Sequence, residues 1–217
     1  RDTAPVRYLG LFHGTAGIGL GLLAVYRAGG DEAFLLAARA AGDALIDAGR
    51  RPAGPGGPRR REWPRWESGE DGGLQALCHG AGGVGRYLVD LHRDAPGPDD
   101  LENCRAAAVT ISSHNIVRPN PNLCHGAAGD VGLLLDLGAT AHPARAAAGA
   151  LERFADPERP GRYQGGDGQP LGPGLLDGLA GIAAAYLRLG ATAQPDLVLP
   201  LRPAAPVTVD ALGRLSG

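Results

Sequence analysis

The stretch Leu77-Cys78-His79-Gly80-Ala81-Gly82-Gly83 returns almost unchanged as Leu123-Cys124-His125-Gly126-Ala127-Ala128-Gly129, 46 residues later (125 − 79). Each copy stands ahead of an apolar run, Val84 to Leu91 in the first and Val131 to Leu137 in the second. A Gly-rich turn feeding an apolar run predicts a helix that starts at the turn. Two poorer copies carry the turn without a cysteine: Leu11-Phe12-His13-Gly14-Thr15-Ala16-Gly17-Ile18 and Leu176-Asp177-Gly178-Leu179-Ala180-Gly181-Ile182. The shared slot is therefore His13, His79, His125 and Asp177, at intervals of 66 (79 − 13), 46 (125 − 79) and 52 (177 − 125). A turn that recurs at such spacing marks a repeat protein.

The segments between slots read as helix pairs. An inner helix follows His13-Gly14 through Ile18, Leu20, Leu22, Leu23, Val25 and Tyr26, apolar on most sides and so expected to be buried. Gly29-Gly30-Asp31 ends it, with Asp31 capping an amphipathic outer helix from about Glu32 to Asp47. Further outer helices are expected from about Asp99 to Ser113 and from Ala144 to Phe154, and a fourth inner helix from Leu179 to Leu189. Gly138 to Pro143 and Gly190 to Pro195 end the third and fourth inner helices almost identically, so whole units repeat. The expected fold is all-α, an array of concentric inner and outer helices with the slots facing one end of its axis. Two stretches stand outside the pattern. Residues 49–73 form a long Pro/Gly/Arg-rich loop, with Arg59-Arg60-Arg61, Trp63 and Trp66, that reads as a solvated loop or as a basic, aromatic lip over a site. The tail, 197–217, has no periodicity and is assigned no regular structure.

Composition removes several function classes. A net charge of −2 supplies no overall field for nucleic acid or anionic membrane. No apolar stretch approaches the roughly 18 residues of a membrane span. Three cysteines, two of them in Cys-His pairs, fit a reducing interior better than a disulfide framework, so a cytoplasmic protein is expected. The chain has no methionine, so Arg1 is not a translation start and a longer parent polypeptide is expected.

Cysteine and histidine are the usual soft ligands of zinc. Thiols at helix N-termini are further favoured as thiolates by the helix dipole. Cys78, Cys124 and His125 make a three-ligand set that leaves the fourth position open, the mark of catalytic zinc. The alternative is a closed structural site completed by His79 or His13. His79 shares the register of His125 and either shapes the surroundings of the metal or packs. His13 has no cysteine beside it, which suits acid/base work near neutral pH, or else it caps a repeat turn. Asp177 orients a ligand or caps its helix, the cap being the expectation. Cys104 lies off the slot register and reads as an inert buried thiol, and His92, His114 and His142 follow no register.

The two Cys-His-Gly turns, with the Gly-rich turns around them from Leu9 to about Leu189, resemble the lanthionine synthetase C-like cyclases. The resemblance implies an α/α toroid of seven repeats, of which four are legible here. It implies Cys78, Cys124 and His125 as zinc ligands, and places His13 in the repeat that supplies the acid/base histidine. His79, in the same register beside Cys78, is counted with His13 as a candidate catalytic residue on its position. The implied reaction adds a cysteine thiol of a dehydrated precursor peptide to dehydroalanine or dehydrobutyrine, giving a (methyl)lanthionine thioether. The order His, Cys, Cys-His implies the C-terminal part of a cyclase domain. It is the kind that ends a class IV-type lanthipeptide synthetase with upstream lyase and kinase domains. Two rival readings remain: a non-catalytic zinc- and thiol- or peptide-binding relative, and another zinc thiol-alkylating enzyme on a similar toroid.

Overall fold

A computed structural model of the chain describes residues 6–53, 59–69, 73–114, 120–136, 148–190, 208–209 and 215–216. Its contacts gather into two compact units, Arg1–Thr110 and Ile111–Gly217. The regular secondary structure of the described residues is helical apart from one two-residue ladder, in keeping with the repeat pattern. No helix among them is long and apolar enough to cross a membrane.

In the first unit, α1 (Thr15–Gly29), α2 (Glu32–Ala48) and α3 (Ala81–Asp94) pack on one another. The boundary between α1 and α2 is the expected one. Gly30 takes the left-handed conformation, φ 73°, and returns its N–H to Tyr26, while the Asp31 carboxylate accepts from Ala33 N–H at 2.9 Å. The outer helix α2 buries only Ala38, Gly42 and Leu45. The inner helix α3 is buried from Ala81 through Leu91. The other inner helix departs from expectation. α1 buries Ala16, Gly19, Leu20 and Leu23, but Ile18 is 66% and Val25 46% exposed. Its apolar residues occupy more of the circumference than α2 and α3 cover within this unit.

α4 (Asp100–His114) begins in the first unit and ends in the second. The second unit contains α5 (Ala127–Asp136) packed on α6 (Leu179–Gly190), with a helical segment at 148–152. The Ala144–Ala147 part of the expected outer helix lies outside the described residues. In the tail, Thr208–Val209 pairs antiparallel with Leu215–Ser216, a minimal ladder where no regular structure was expected.

Buried ion pairs repeat along with the helices. Asp90 of α3 and Asp136 of α5 each stand seven residues after the glycines Gly83 and Gly129. Arg27 reaches Asp90 at 3.4 Å and Asp94 at 2.6 Å, tying α1 to α3. Arg188 reaches Asp136 at 2.7 Å, tying α6 to α5. Charges this deeply buried persist only when paired.

The Pro/Gly/Arg-rich loop is more firmly held than a lip would be. Trp63 is fully buried and donates its indole N–H to the Leu45 carbonyl at 2.7 Å. Gln75, itself buried, donates to Trp63 O at 3.0 Å and accepts from Trp63 N at 3.2 Å. Trp63 is thus a core anchor, because an indole with its N–H satisfied is a large apolar body that packs well inside. Trp66 is half-buried and meets Tyr8 edge-on at 6.3 Å. Residues 54–58 and 70–72 of the loop lie outside the described residues.

Candidate metal centre

Three slots share one backbone device: the N–H of the residue after the slot glycine, which has no partner inside the helix, donates to the carbonyl seven residues back. Thr15 bonds to Tyr8, Ala127 to Asn120 and Leu179 to Gly172, at 2.9–3.1 Å. At the second slot Ala81 N–H goes to the Gln75 side chain instead, and the seven-residue bond is made by Gly83 to Ala76 at 3.0 Å. The fold-back brings the backbone against the glycine that ends the slot. A Cβ on Gly14, Gly80, Gly126 or Gly178 would meet the carbonyl oxygen six residues earlier at 2.1, 2.6, 2.4 or 2.3 Å. That collision explains the glycine in all four copies of the motif. Gly80 alone of the four also needs the left-handed region, φ 85°.

Neighbouring turns then interlock in the same way within each unit. In the first, Phe12 N–H donates to the Cys78 carbonyl at 3.5 Å, and Leu11 packs against Gly83, where a Cβ would lie 2.7 Å from the Leu11 Cβ. In the second, Cys124 N–H donates to the Leu176 carbonyl at 2.9 Å, and Leu123 packs against Gly181 with the same 2.7 Å clearance. Phe12 and Cys124 both precede a slot histidine, and Cys78 and Leu176 both precede the next slot. The cysteines are therefore carried on turns whose backbone is fixed from both sides.

In the first unit the thiol of Cys78 is buried and His79 is half-buried. His13 is exposed and stacks on His79, ring centroids 4.8 Å apart and planes 20° from parallel. Tyr8 lies beyond His79, 6.2 Å between centroids. The Nδ1 of His79 is buried with no hydrogen-bond partner among the described residues. Burial, and then the neighbouring His13 and Arg65, lower the His79 pKa, so its imidazole is held neutral. Gln75 completes this side: its side-chain oxygen accepts from Ala81 N–H at 2.8 Å, capping α3 while gripping Trp63. The sequence reading missed Gln75, whose only signal is its place six residues before the helix start.

In the second unit Cys124 is half-buried. The Asn122 side chain, 4% exposed, accepts from His125 N–H at 3.0 Å and places its amide nitrogen 3.2 Å from His125 Nε2. Asn122 was also missed, though an Asn three residues ahead of a turn residue is a recognisable side-chain cap. Asp177 does not cap α6 among the described residues, contrary to expectation: Leu179 N–H goes to the Gly172 carbonyl instead. The Asp177 carboxylate lies 3.9 Å from His125 Nδ1.

Cys78 of the first unit, and Cys124 with His125 of the second, are side chains of a type that could hold a metal ion. None of the cysteines is in a disulfide. Two thiols with an imidazole are the ligands of a borderline-soft ion, and the set contains no carboxylate to favour calcium or magnesium. Cys104 is the inert thiol expected: fully buried, with its pKa pushed up by burial, and facing the Gly85 carbonyl at 3.8 Å. His92 sits 3.4 Å from Asp100, away from the slots, and His142 lies outside the described residues.

A family model described as lanthionine synthetase C-like protein matches residues 2–199. No curated protein matches the chain.

Proposed function

Because the chain belongs to the lanthionine synthetase C-like family, we propose that it is a zinc-dependent cyclase that closes (methyl)lanthionine rings in a dehydrated precursor peptide. The observation that carries this reading is the Cys-Cys-His donor set, which matches zinc in softness and leaves one of four tetrahedral positions for substrate. Cys78, Cys124 and His125 are its ligands. Bound there, zinc supplies a Lewis acid that lowers the pKa of a substrate thiol, so that the thiolate is available near neutral pH.

The peptide thiolate attacks the β-carbon of dehydroalanine or dehydrobutyrine. A carbon–sulfur bond forms as the carbon–carbon double bond opens, and its electron pair passes into an enolate. The enolate takes a proton at the α-carbon, so the product has the mass of the starting peptide. His13 is the proton donor in this reading. It is exposed to an incoming peptide, and its ring is held by stacking on His79. His79, kept neutral by burial, packs and orients and does not add a second positive charge. The precursor reaches this chain already dehydrated, by lyase and kinase domains upstream in the same polypeptide, in the reducing cytoplasm where thiols persist.

The test is incubation with a dehydrated precursor, followed by thiol alkylation and mass spectrometry. Loss of alkylatable cysteine without a change in peptide mass supports the cyclase. Zinc binding and peptide binding without that loss would leave the non-catalytic relative as the answer.

A further inference from the structure

We propose that Tyr8, Trp66 and Arg65 form a strip that holds the precursor peptide in extended form beside the slot histidines, with an acidic side chain of the peptide against Arg65. The proposal deepens the peptide-substrate reading above and rests on it.

The strip is set by backbone pairing. Glu67 N–H donates to the Arg7 carbonyl at 2.9 Å and Leu9 N–H to the Arg65 carbonyl at 3.1 Å, so residues 7–9 and 65–67 run antiparallel. Tyr8 and Trp66 stand opposite each other between those two bonds, the arrangement that brings paired side chains closest on one face. Their rings meet at 6.3 Å between centroids, with planes 85° apart. Tyr8 also meets His79 at 6.2 Å, and His79 stacks on His13 at 4.8 Å. A row of rings therefore leads from the slot histidines to Trp66, all of it within the first unit.

The two tryptophans of the loop differ in a way that points to a ligand. Trp63 is fully buried, with its indole N–H on the Leu45 carbonyl. Trp66 is half-buried and Tyr8 is 41% exposed. Neither the Trp66 indole N–H nor the Tyr8 hydroxyl has a hydrogen-bond partner among the described residues. Rings that keep their polar ends open offer an incoming chain both apolar surface and hydrogen bonds to its backbone. The ring-to-ring steps of 6.2 and 6.3 Å on either side of Tyr8 fit an extended peptide, whose alternate side chains share a face and lie about 6.6 Å apart.

Arg65 gives the strip its charge preference. It is exposed, its guanidinium carbon lies 5.9 Å from the Trp66 ring centroid, and it has no carboxylate partner among the described residues. Arg7, by contrast, already faces Glu67 at 3.7 Å. A guanidinium held beside an indole is placed to take a carboxylate through two parallel hydrogen bonds.

The experiment uses the full chain and a short synthetic peptide with one dehydroalanine, one cysteine, one glutamate and no tryptophan. Affinity is read by the anisotropy of a fluorescein label on the peptide. Because Trp63 is buried, a change in indole emission on titration reports contact at Trp66. Tyr8→Ala and Trp66→Ala should each weaken binding by about 10-fold, as for aromatic anchors elsewhere, and in turnover the loss should fall on KM. Arg65→Glu, an exposed change that leaves the fold intact, should reverse the preference between this peptide and one with lysine in place of glutamate. Wild-type affinity in folded Tyr8→Ala and Trp66→Ala, or a charge preference that Arg65→Glu leaves unmoved, overturns the proposal. Should Trp66→Ala fail to fold, Tyr8→Ala and the Arg65→Glu reversal decide it. Binding through these residues without ring closure would remove the cyclase reading and keep the strip. Ring closure at wild-type KM in Tyr8→Ala would remove the strip and keep the cyclase.

Discussion

The rings of His13 and His79 lie face to face, 4.8 Å between centroids, one exposed and the other half-buried. In the proposed mechanism this pairing divides two roles between two similar residues: the exposed outer ring meets the peptide and the inner ring supports it. If so, His13→Ala should leave fold and zinc content intact, because an exposed side chain contributes little to the core. Cyclisation should slow by about 10²–10⁴-fold, the range for a positioned proton donor. A His13→Ala protein that cyclises at the wild-type rate would remove His13 from the mechanism.

The same pair predicts a pH dependence of stability. The folded-state pKa of His79 is lowered, first by desolvation and then by His13 and Arg65. As pH falls through the ordinary histidine value of about 6.5, the unfolded chain takes up a proton that folded His79 refuses. The contribution is therefore fully present above about 6.5 and is lost as pH falls from there towards the folded-state value. Urea midpoints measured in chelator should drop more steeply between about pH 6.5 and 5 for the wild type than for His79→Phe. Parallel profiles would show that burial does not hold the ring neutral.

Two glycine substitutions should have opposite signs. Gly126→Ala sets a Cβ 2.4 Å from the Asn120 carbonyl and 2.5 Å from Asn122 N, both rigid backbone. It should destabilise by more than about 2 kcal/mol and release zinc, because the turn it distorts carries Cys124 and His125. Gly21→Ala, in the exposed part of α1, meets nothing within 4 Å. It should stabilise by about 0.5–1 kcal/mol through helix propensity alone. Denaturant titrations of the two variants decide the point.

Metal content should separate the three cysteines. About one zinc per chain is expected, lost in Cys78→Ala, Cys124→Ala and His125→Ala and kept in Cys104→Ala. Elemental analysis of the purified variants measures this. Zinc loss in Cys104→Ala with the fold intact would contradict the ligand set.

The buried pair of Arg188 and Asp136 should be expensive to break. Asp136→Ala removes the carboxylate 2.7 Å from a guanidinium that is 5% exposed. A loss of about 3–5 kcal/mol is expected, as for other half-removed buried pairs. Replacing both partners by leucine and methionine should recover much of it, which a double-mutant comparison would reveal.

Some of this protein was decided within short stretches of chain. The helix starts, the Gly30 and Asp31 boundary and the slot glycines are local matters. Each depends on hydrogen bonds or collisions within about seven residues, so a repeated turn in the sequence becomes a repeated turn in space. Cys78, Cys124 and His125 were legible as a donor set for the same reason: ligand chemistry belongs to the residue type.

Tertiary structure decided what those turns were packed against. Trp63 lay in a stretch that read as a solvated loop or a lip, but its indole N–H donates to Leu45 and its backbone exchanges hydrogen bonds with the Gln75 side chain. Ile18 and Val25 looked like core, yet burial depends on how much neighbouring surface is available, not on the residue itself. Asp177 had the composition of a helix cap, but the Gly172 carbonyl already satisfied Leu179 N–H, and its carboxylate faced His125 instead. A side chain's chemistry is written in the sequence, whereas its partner is chosen by whichever groups the fold brings within a few ångströms.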